Sequence, residues 1–462
     1  MTSFVRLPSM VRPGADGLAG LALCSLLPAL AVSSANVALP RLGDALDARF
    51  ATLQWIVLAY LLATTALVVG AGRLGDLLGR RRVLLGGVAV FCAASGLCAL
   101  APGAGWLIAA RAAQGAGAAV MMALPMALVG DVVPKARTGA ALGLLGTMSA
   151  VGTALGPSLG GLLLAAWGWR ALFAVNLPLG LAALALLWRR LPPDQPSDQL
   201  SDQSSTRPVG LDLPGIAALA LALAAYALAM TFSIWLLVGA AVAAWVFVRV
   251  EAQAVSPLLP LASLRDPVLA ARLAAHALVS AVMMATLVVG PFHLTWALGL
   301  APASVGLLMS VAPLIAAFSG VPAGRLVDRI GVQAAAGWGL CLMLPGCALL
   351  SLLPAALGPA AYVGPLLLIA PGYALFQAAN NTAVMAGAAS AGRGLAAALI
   401  SLARNLGLMT GASLMAGLFA AAAAAGGPAA AARGTRWSFA AATGLVVLAW
   451  LLVAGIRRRR LP

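Results

Sequence analysis

The sequence predicts an all-α protein that crosses a membrane many times, and three observations carry that prediction. Only 9% of its 462 residues are charged and its mean hydropathy is +1.02, where a soluble chain carries about 25% charged residues. Apolar runs of about 20 residues, the length of one helical span, recur from end to end. None of them alternates apolar and polar side chains every second residue, as the strands of a membrane barrel do.

Taken in order, the runs place spans near 18–40, 51–71, 83–101, 104–128, 139–164, 168–188, 211–230, 233–250, 268–293, 303–323, 334–354, 357–380, 396–420 and 437–456, which makes fourteen. The two runs at 211–230 and 233–250 are joined by a two-residue link, so one long or re-entrant element is the alternative there. The opening MTSFVRLPSM lacks the form of a signal peptide, because the first apolar run starts near Leu18 and reaches Pro40 without a cleavage site. All five cysteines (Cys24, Cys92, Cys98, Cys341, Cys347) fall within spans and read as free thiols used as small apolar residues.

The segment RRLPPDQPSDQLSDQSSTRPVG at 189–210 is the one long polar stretch, too poor in apolar surface to order itself. It divides the chain into a short tail (1–17), six helices (18–188), a flexible linker (189–210), two additional helices (211–250), a connector (251–267), six more helices (268–456) and a basic tail (457–462). GRLGDLLGRRR at 72–82 follows the second helix, and GRLVDRIG at 324–331 follows the second helix of the last six. The shared G-R-L-x-D frame aligns Gly72 with Gly324 and Asp76 with Asp328, which suggests an internal repeat of two six-helix bundles.

Charge fixes the expected orientation. With the N-terminus cytoplasmic, Arg41, Arg49, Arg170, Arg433 and Arg436 fall outside and Arg111 within a span; the other 22 of the 28 Lys and Arg residues fall on the inner side. That is the bias of the positive-inside rule, so the N-terminus and the final RRRR are expected in the cytoplasm of a bacterial cell, with the chain in its plasma membrane. The net charge of +16 thus needs no nucleic-acid partner; inner-surface arginines also meet anionic lipid heads.

Polar groups inside spans mark candidate sites. Arg111 lies in WLIAARAAQGAGAAVMMALP, where an arginine at mid-helix costs roughly 2.5–3.5 kcal/mol on insertion scales. It reads either as a side chain reaching the outer interface or as a cavity-facing cation bonded to helix carbonyls, water or substrate. Gln114, three residues on, shares its face. The next helix, GLLGTMSAVGTALGPSLGG, carries a nearly bald stripe, with Pro157 removing a backbone donor; it reads as a packing seam or as a bend that regulates opening. In the second half, Gln377, Asn380 and Asn381 gather near the inner end of helix 12, and Arg404 and Asn405 follow in the next span. Unsatisfied amides in hydrocarbon are costly, so these face protein or a wet cavity. His276 and His293 read as interhelical or interfacial groups, or as groups that take a proton. Methionines, Met148 and the pairs Met121/Met122 and Met283/Met284 among them, suit an adaptable apolar pocket or fill packing gaps.

GRLGDLLGRRR resembles the loop between helices 2 and 3 that marks the major facilitator superfamily, matching at Gly72, Leu74, Asp76, Gly79, Arg80 and Arg81. RAAQGAG resembles its helix 4 motif at Arg111, Gln114, Gly115 and Gly117. Gly143, Gly152, Gly156, Pro157, Gly160 and Gly161 match the helix 5 motif associated with antiporters, and NVALP at 36–40 resembles the end of helix 1 in the fourteen-helix drug/proton antiporter branch. The resemblance implies the major facilitator fold, two six-helix bundles plus two inserted helices, and a multidrug efflux carrier, not an enzyme, working by alternating access. Asp76 would latch the outward-open form across the bundle interface, with Arg80 and Arg81 at the rim and Asp328 as its repeat partner. Asn36, Arg111, Gln114, Met148, His276, Met283, Gln377, Asn380 and Asn381 are the candidates for the substrate cavity.

One departure stands out: LAVSSANVALP puts Ala31 where many members hold a helix 1 carboxylate, so the proton carrier would have to be Asp131, Asp212, Asp266 or His276. No P-loop and no metal-ligand spacing occurs in the chain, so no cofactor or metal is expected and the proton gradient is the expected energy source. The expected partners are small amphipathic compounds, protons, membrane lipids and, if the chain comes from a double-membrane bacterium, a membrane-fusion adaptor. A narrow exporter of a metabolite or amino acid, and a non-transporting sensor or scaffold on the same fold, are the alternatives.

Overall fold

The computed structural model describes residues 15–133, 138–194, 212–232, 234–254, 266–386 and 393–459. All regular structure among them is helical. The first group comprises α1 (Ala15–Leu46), α2 (Phe50–Leu78), α3 (Arg80–Ala99), α4 (Ala104–Val132), α5 (Thr138–Trp167) and the collinear pair α6 (Trp169–Ala174) and α7 (Asn176–Arg190). α8 (Leu213–Phe232) and α9 (Leu237–Gln253) follow as a hairpin. The second group is α10 (Pro267–Phe292), α11 (Pro302–Ile330), α12 (Val332–Leu352), α13 (Pro359–Ala386), α14 (Arg393–Ala423) and α15 (Gly427–Arg459). The break between α6 and α7 lies beside Pro178, which has no N–H to return to the Ala174 carbonyl.

The two groups repeat one packing pattern. α1 packs on α5 and α7, α2 on α4, and α3 on α4 and α7; in the same order α10 packs on α14 and α15, α11 on α13, and α12 on α13 and α15. The contacts between the groups are exchanged in the same way, α5 with α11 and α14 with α2, while α1 meets α10. The internal repeat read from two short loops therefore extends to the whole architecture. Both loops turn on a glycine in the left-handed region, Gly79 at φ 98° and Gly331 at φ 82°, where a β-carbon is disfavoured. The end of the molecule carrying these two turns also carries Arg80–Arg82, Arg189, Arg190, Arg325 and Arg329, and is the basic end; the opposite one is the far end.

The span count is met to within one, and two expected boundaries need correction. Among the described residues thirteen helical segments, with α6 and α7 as one, are long and apolar enough to cross a membrane. α9 falls just outside that group: its 17 residues reach about 26 Å, at the short end of the roughly 17–25 residues that span a bilayer, and the single turn Ile234–Leu236 leads into it. The linker does not begin at 189: Arg189 and Arg190 form the last turn of α7, where cations complement the helix dipole, and residues 191–194 are placed by contacts described below. The connector does not begin at 251, because α9 continues through Gln253 and buries Glu251. Both expected tails and the connector also lose residues to helices, 15–17 to α1, 457–459 to α15 and 267 to α10; residues 1–14, 195–210, 255–265 and 460–462 lie outside the described residues.

Candidate functional site

The two groups touch most intimately at the far end. A β-carbon built on Gly161 of α5 would lie 2.6 Å from the Pro302 carbonyl oxygen and 2.8 Å from the Gly306 Cα, both in α11. The two helices are thus in backbone contact, which only paired small residues permit. At the same end the rings of Phe50 at the start of α2, Phe292 at the end of α10, Trp296 just after it and Phe419 in α14 form one cluster: Phe50 to Phe292 at 4.9 Å, Phe292 to Trp296 at 4.7 Å and Phe292 to Phe419 at 5.7 Å between centroids. Aromatic pairs at such spacings add about 0.5–1.5 kcal/mol each beyond burial. The cluster joins both groups at the far end.

The other motif glycines of α5 face α1, within one group. A β-carbon on Gly152 would meet the Leu26 carbonyl, one on Gly156 the side chain of Ser33, and one on Gly160 the Ser34 backbone at 3.1 Å. Ser33 Oγ crosses this seam to the Gly152 carbonyl, 3.2 Å away. The surroundings of Gly143 fall outside the described residues. The bald stripe therefore serves two partners, with Gly152, Gly156 and Gly160 binding α5 to its own bundle and Gly161 setting it against the other.

Arg111 is fully buried and does not reach an interface. Its Nε donates to the Ile56 carbonyl at 3.0 Å, and Nη1 donates to Gln114 Oε1 at 2.6 Å and to the Ala31 carbonyl at 3.3 Å. Gln114 Nε2 donates in turn to Ser95 Oγ, and the guanidinium lies 4.3 Å over the Tyr60 ring. Charge-assisted hydrogen bonds contribute about 1.5–3 kcal/mol each, so three of them exceed the roughly 2.5–3.5 kcal/mol insertion cost. Arg111 ties α1, α2, α3 and α4 together from the centre of the first bundle. The position lacking the expected carboxylate, Ala31, takes part through its backbone oxygen.

At the basic end Asp76 bonds Arg80 within its own turn, 2.9 Å, with both side chains about half exposed. Asp328 is also exposed. Arg81 Nη2 donates to the Trp188 carbonyl at 2.7 Å and its guanidinium stacks on the Trp188 ring. Asp194, which the polar composition of its segment disguised, caps α3: Oδ1 accepts from the Arg81 N–H at 2.9 Å and Oδ2 from that of Arg82 at 3.2 Å. The pattern of an acid a few residues past an arginine-ended helix was its only signal.

In the second bundle, Asn380 Nδ2 and His276 Nδ1 lie 3.3 Å apart, and Arg404 of α14 lies close enough to His276 to act on it electrostatically. His276 Nε2, the Oδ1 atoms of Asn380 and Asn381, and Arg404 Nε are buried with no hydrogen-bond partner among the described residues. Three helices, α10, α13 and α14, thus gather unsatisfied donors and acceptors in one region. Asn36 stands apart on α1, fully buried with neither amide atom bonded among the described residues; Met148 and Met283 are partly buried against the core. His293 bonds Thr435 at 3.0 Å. Asp212 and Asp266 cap α8 and α10 through the Gly215 and Val268 N–H groups, and the side chain of Asp131 lies outside the described residues. Glu251, the one buried carboxylate among those described, comes within 3.0 Å of where a Gly215 β-carbon would sit, beside Asp212. No group of three metal-ligating side chains gathers among the described residues.

Comparison with known proteins agrees with this geometry. The family model of the Major Facilitator Superfamily matches residues 21–412. The chain is 32% identical to the transporter YebQ of Escherichia coli over 432 residues, covering 92% of this chain and 91% of that one. It is 31% identical to the multidrug resistance protein Stp of Mycobacterium tuberculosis over 397 residues, 84% of this chain and 72% of that one. Among solved structures, a bacterial homolog of the human lysosomal transporter Spinster superposes with a TM-score of 0.71 at 18% identity, over 96% of each chain. Two bundles with one packing pattern, exchanged contacts between them, and a family match over most of the sequence lead to one conclusion: the chain is a transporter of the major facilitator superfamily.

Proposed function

We propose that this transporter is a secondary active exporter of small amphipathic or hydrophobic compounds, working by alternating access and driven by proton antiport. The observation that carries the reading is the unequal state of its two ends. At the far end Gly161 meets Gly306 and the Phe50, Phe292, Trp296 and Phe419 cluster joins the two groups, while at the basic end the partner of Asp76 among the described residues is Arg80, four positions on. That is the arrangement of a carrier open toward the basic end, with the latch free to re-form across the interface when the far end opens. The relatives named for multidrug resistance support export of varied compounds, and the partly buried Met148 and Met283 supply a surface that repacks around different shapes.

The basic end is assigned to the cytoplasm by the positive-inside bias, placing both termini there and the protein in a bacterial plasma membrane. A proton moving inward yields roughly 2.3 kcal/mol per 100 mV. Glu251, withdrawn from solvent beside Asp212, joins His276 among the candidate carriers. A second reading, a narrow exporter of an anionic metabolite or amino acid, is favoured by Arg404 and its unsatisfied neighbours His276, Asn380 and Asn381.

Proteoliposomes holding the purified protein, a substrate panel and an imposed pH gradient test both readings. Antiport predicts substrate flux that reverses with the gradient and a matching change of internal pH, lost in Glu251→Gln or His276→Gln if that group carries the proton. Flux of an identified substrate that is indifferent to the gradient would sink the proton coupling; flux of carboxylates alone would select the narrow exporter. Binding of partners with no flux under any gradient would leave only a sensor or scaffold.

A further inference from the structure

The internal repeat gives the same turn two different fates. In the first bundle the N-terminus of α3, just past Gly79, is filled by the Asp194 carboxylate. In the second, α12 starts just past Gly331, and among the described residues no side chain caps it. Gly331, Gln333 and the first turn of α12 instead form the head of a groove of about 800 Å³ between α10, α12 and α15. Arg272, in the second turn of α10 and only 5% exposed, lines the same groove. It is oriented by Gln333, whose Oε1 accepts from Arg272 Nη2 at 3.2 Å and whose Nε2 donates to the Val453 carbonyl at 2.5 Å.

Beyond its charged head the groove is apolar. Trp338 and Trp450, 66% and 42% exposed, flank it together with Cys341. At 1.5 Å per residue these α12 side chains lie about 9 Å and about 14 Å from the helix start, deeper toward mid-membrane than the arginine end. A buried cation at the level of the basic end, continued by an aromatic-flanked apolar channel toward the membrane centre, matches a molecule with an anionic head and hydrocarbon tails. Basic pockets between spanning helices take anionic lipid heads, and amides of a helix start favour negative charge.

We propose that this groove binds one anionic phospholipid from the leaflet at the basic end. Its phosphate pairs with Arg272 and takes, from outside the chain, the place at α12 that the Asp194 carboxylate takes at α3. One acyl chain lies along Trp338, Cys341 and Trp450. The site sits on the outer flank of the second bundle, away from Arg404 and the contacts between bundles, and it rests only on the protein spanning a membrane.

Cys341 gives a direct readout, because it is exposed while the other four cysteines are buried. The purified full chain in detergent is titrated with phosphatidylglycerol, with phosphatidylcholine and with inorganic phosphate. Maleimide labelling of Cys341 and lipid adducts retained in native mass spectrometry are followed. Phosphatidylglycerol is expected to slow labelling and to be retained about tenfold better than phosphatidylcholine, the discrimination of one charge-assisted hydrogen bond. Arg272→Gln is expected to abolish that preference. Gly337→Leu, at a position with open space around it, obstructs the groove without touching Arg272 and covers the case in which the arginine variant does not fold; it too is expected to lose the lipid. Equal protection by the two lipids, protection by inorganic phosphate alone, or a phosphatidylglycerol preference that survives Gly337→Leu would each overturn the proposal.

Discussion

Adding one methyl group at Gly161 should move the conformational equilibrium of this transporter, whereas the same methyl at Gly156 should weaken its fold. At Gly161 the new β-carbon would meet the Pro302 carbonyl at 2.6 Å and the Gly306 backbone at 2.8 and 3.1 Å, all belonging to the opposite bundle. None is a flexible side chain, so the strain is relieved only by moving α5 from α11. Overpacking of this kind costs about 1–3 kcal/mol; a central value of about 2 kcal/mol shifts the population by about 30-fold toward the state in which the far end is apart. At Gly156 the obstacle is Ser33 of α1, in the same bundle, and the Ser33 bond to Gly152 is lost with it. Both variants are made in a Cys341→Ser background with spin labels at Asp47→Cys and Ala425→Cys, two exposed far-end positions in the α1–α2 and α14–α15 connections. Double electron–electron resonance should report a longer-distance population in Gly161→Ala, with little change in melting temperature. Gly156→Ala should melt earlier with the distances unchanged. Identical behaviour of the two variants, or an unmoved distance distribution in Gly161→Ala, would refute the division of α5 into a seam within its bundle and a contact across the interface.

Other perturbations follow from the same geometry. Arg111→Ala should destabilise the protein by about 3–5 kcal/mol, the cost of breaking a buried charged network, and Arg111→Lys by less, since it keeps the charge but not the fork that reaches Ile56, Ala31 and Gln114; thermal unfolding in detergent measures both. Asp194→Ala removes the cap of α3 and should cost about 0.5–2 kcal/mol, with Asp194→Asn retaining part of it, read in the same assay. Asp76→Asn should lower transport while leaving the amount of folded protein unchanged, because its partner Arg80 is half exposed and such a pair contributes only about 0–1 kcal/mol to stability. Parallel losses of folded protein and of flux would assign Asp76 to folding instead.

The many-span class, the bundle division and the glycine motif were legible because each leaves a long or regularly spaced signal. Twenty apolar residues in a row have few other uses, and five glycines at fixed spacing on one helix mark close approach whatever they approach. What the spacing does not carry is the partner. Gly156 and Gly161 look alike in sequence, yet one meets α1 and the other α11, a distinction that depends on how the two bundles pack. Arg111 was legible as a costly residue, with bonds to helix carbonyls as one of its two readings; which carbonyls, Ile56 and Ala31, was not, because backbone oxygens have no sequence signature. Asp194 was hidden by its neighbours: among Pro, Ser, Gln and Asp a capping carboxylate looks like any other solvated acid. Glu251 was taken for a connector residue because the apolar run weakens there, while the helix itself continues another turn. The far-end cluster joins Phe50, Phe292, Trp296 and Phe419, which lie up to 369 positions apart, so only the fold brings them together.

The inserted hairpin makes the two sides of the interface unequal. α5 against α11 and α2 against α14 are exchanged by the repeat, and a perfectly repeated carrier would treat them alike. Here α5 meets α11 directly through glycine, whereas α8 packs on both α2 and α14. Ile216 of α8 lies where a side chain on Gly70 of α2 would go, and the Tyr226 and Thr410 hydroxyls of α8 and α14 are 2.6 Å apart. A rocking motion that parts the bundles at one end must therefore slide α8 against one of its two partners, while the described α5–α11 contact is one of glycine backbones. Of the two α8 contacts, the one described to α2 has Ile216 packed at a glycine, which tolerates sliding; the one to α14 includes a hydrogen bond, which does not. The hairpin is accordingly expected to travel with the second bundle, and the moving surface on that side is α8 over α2.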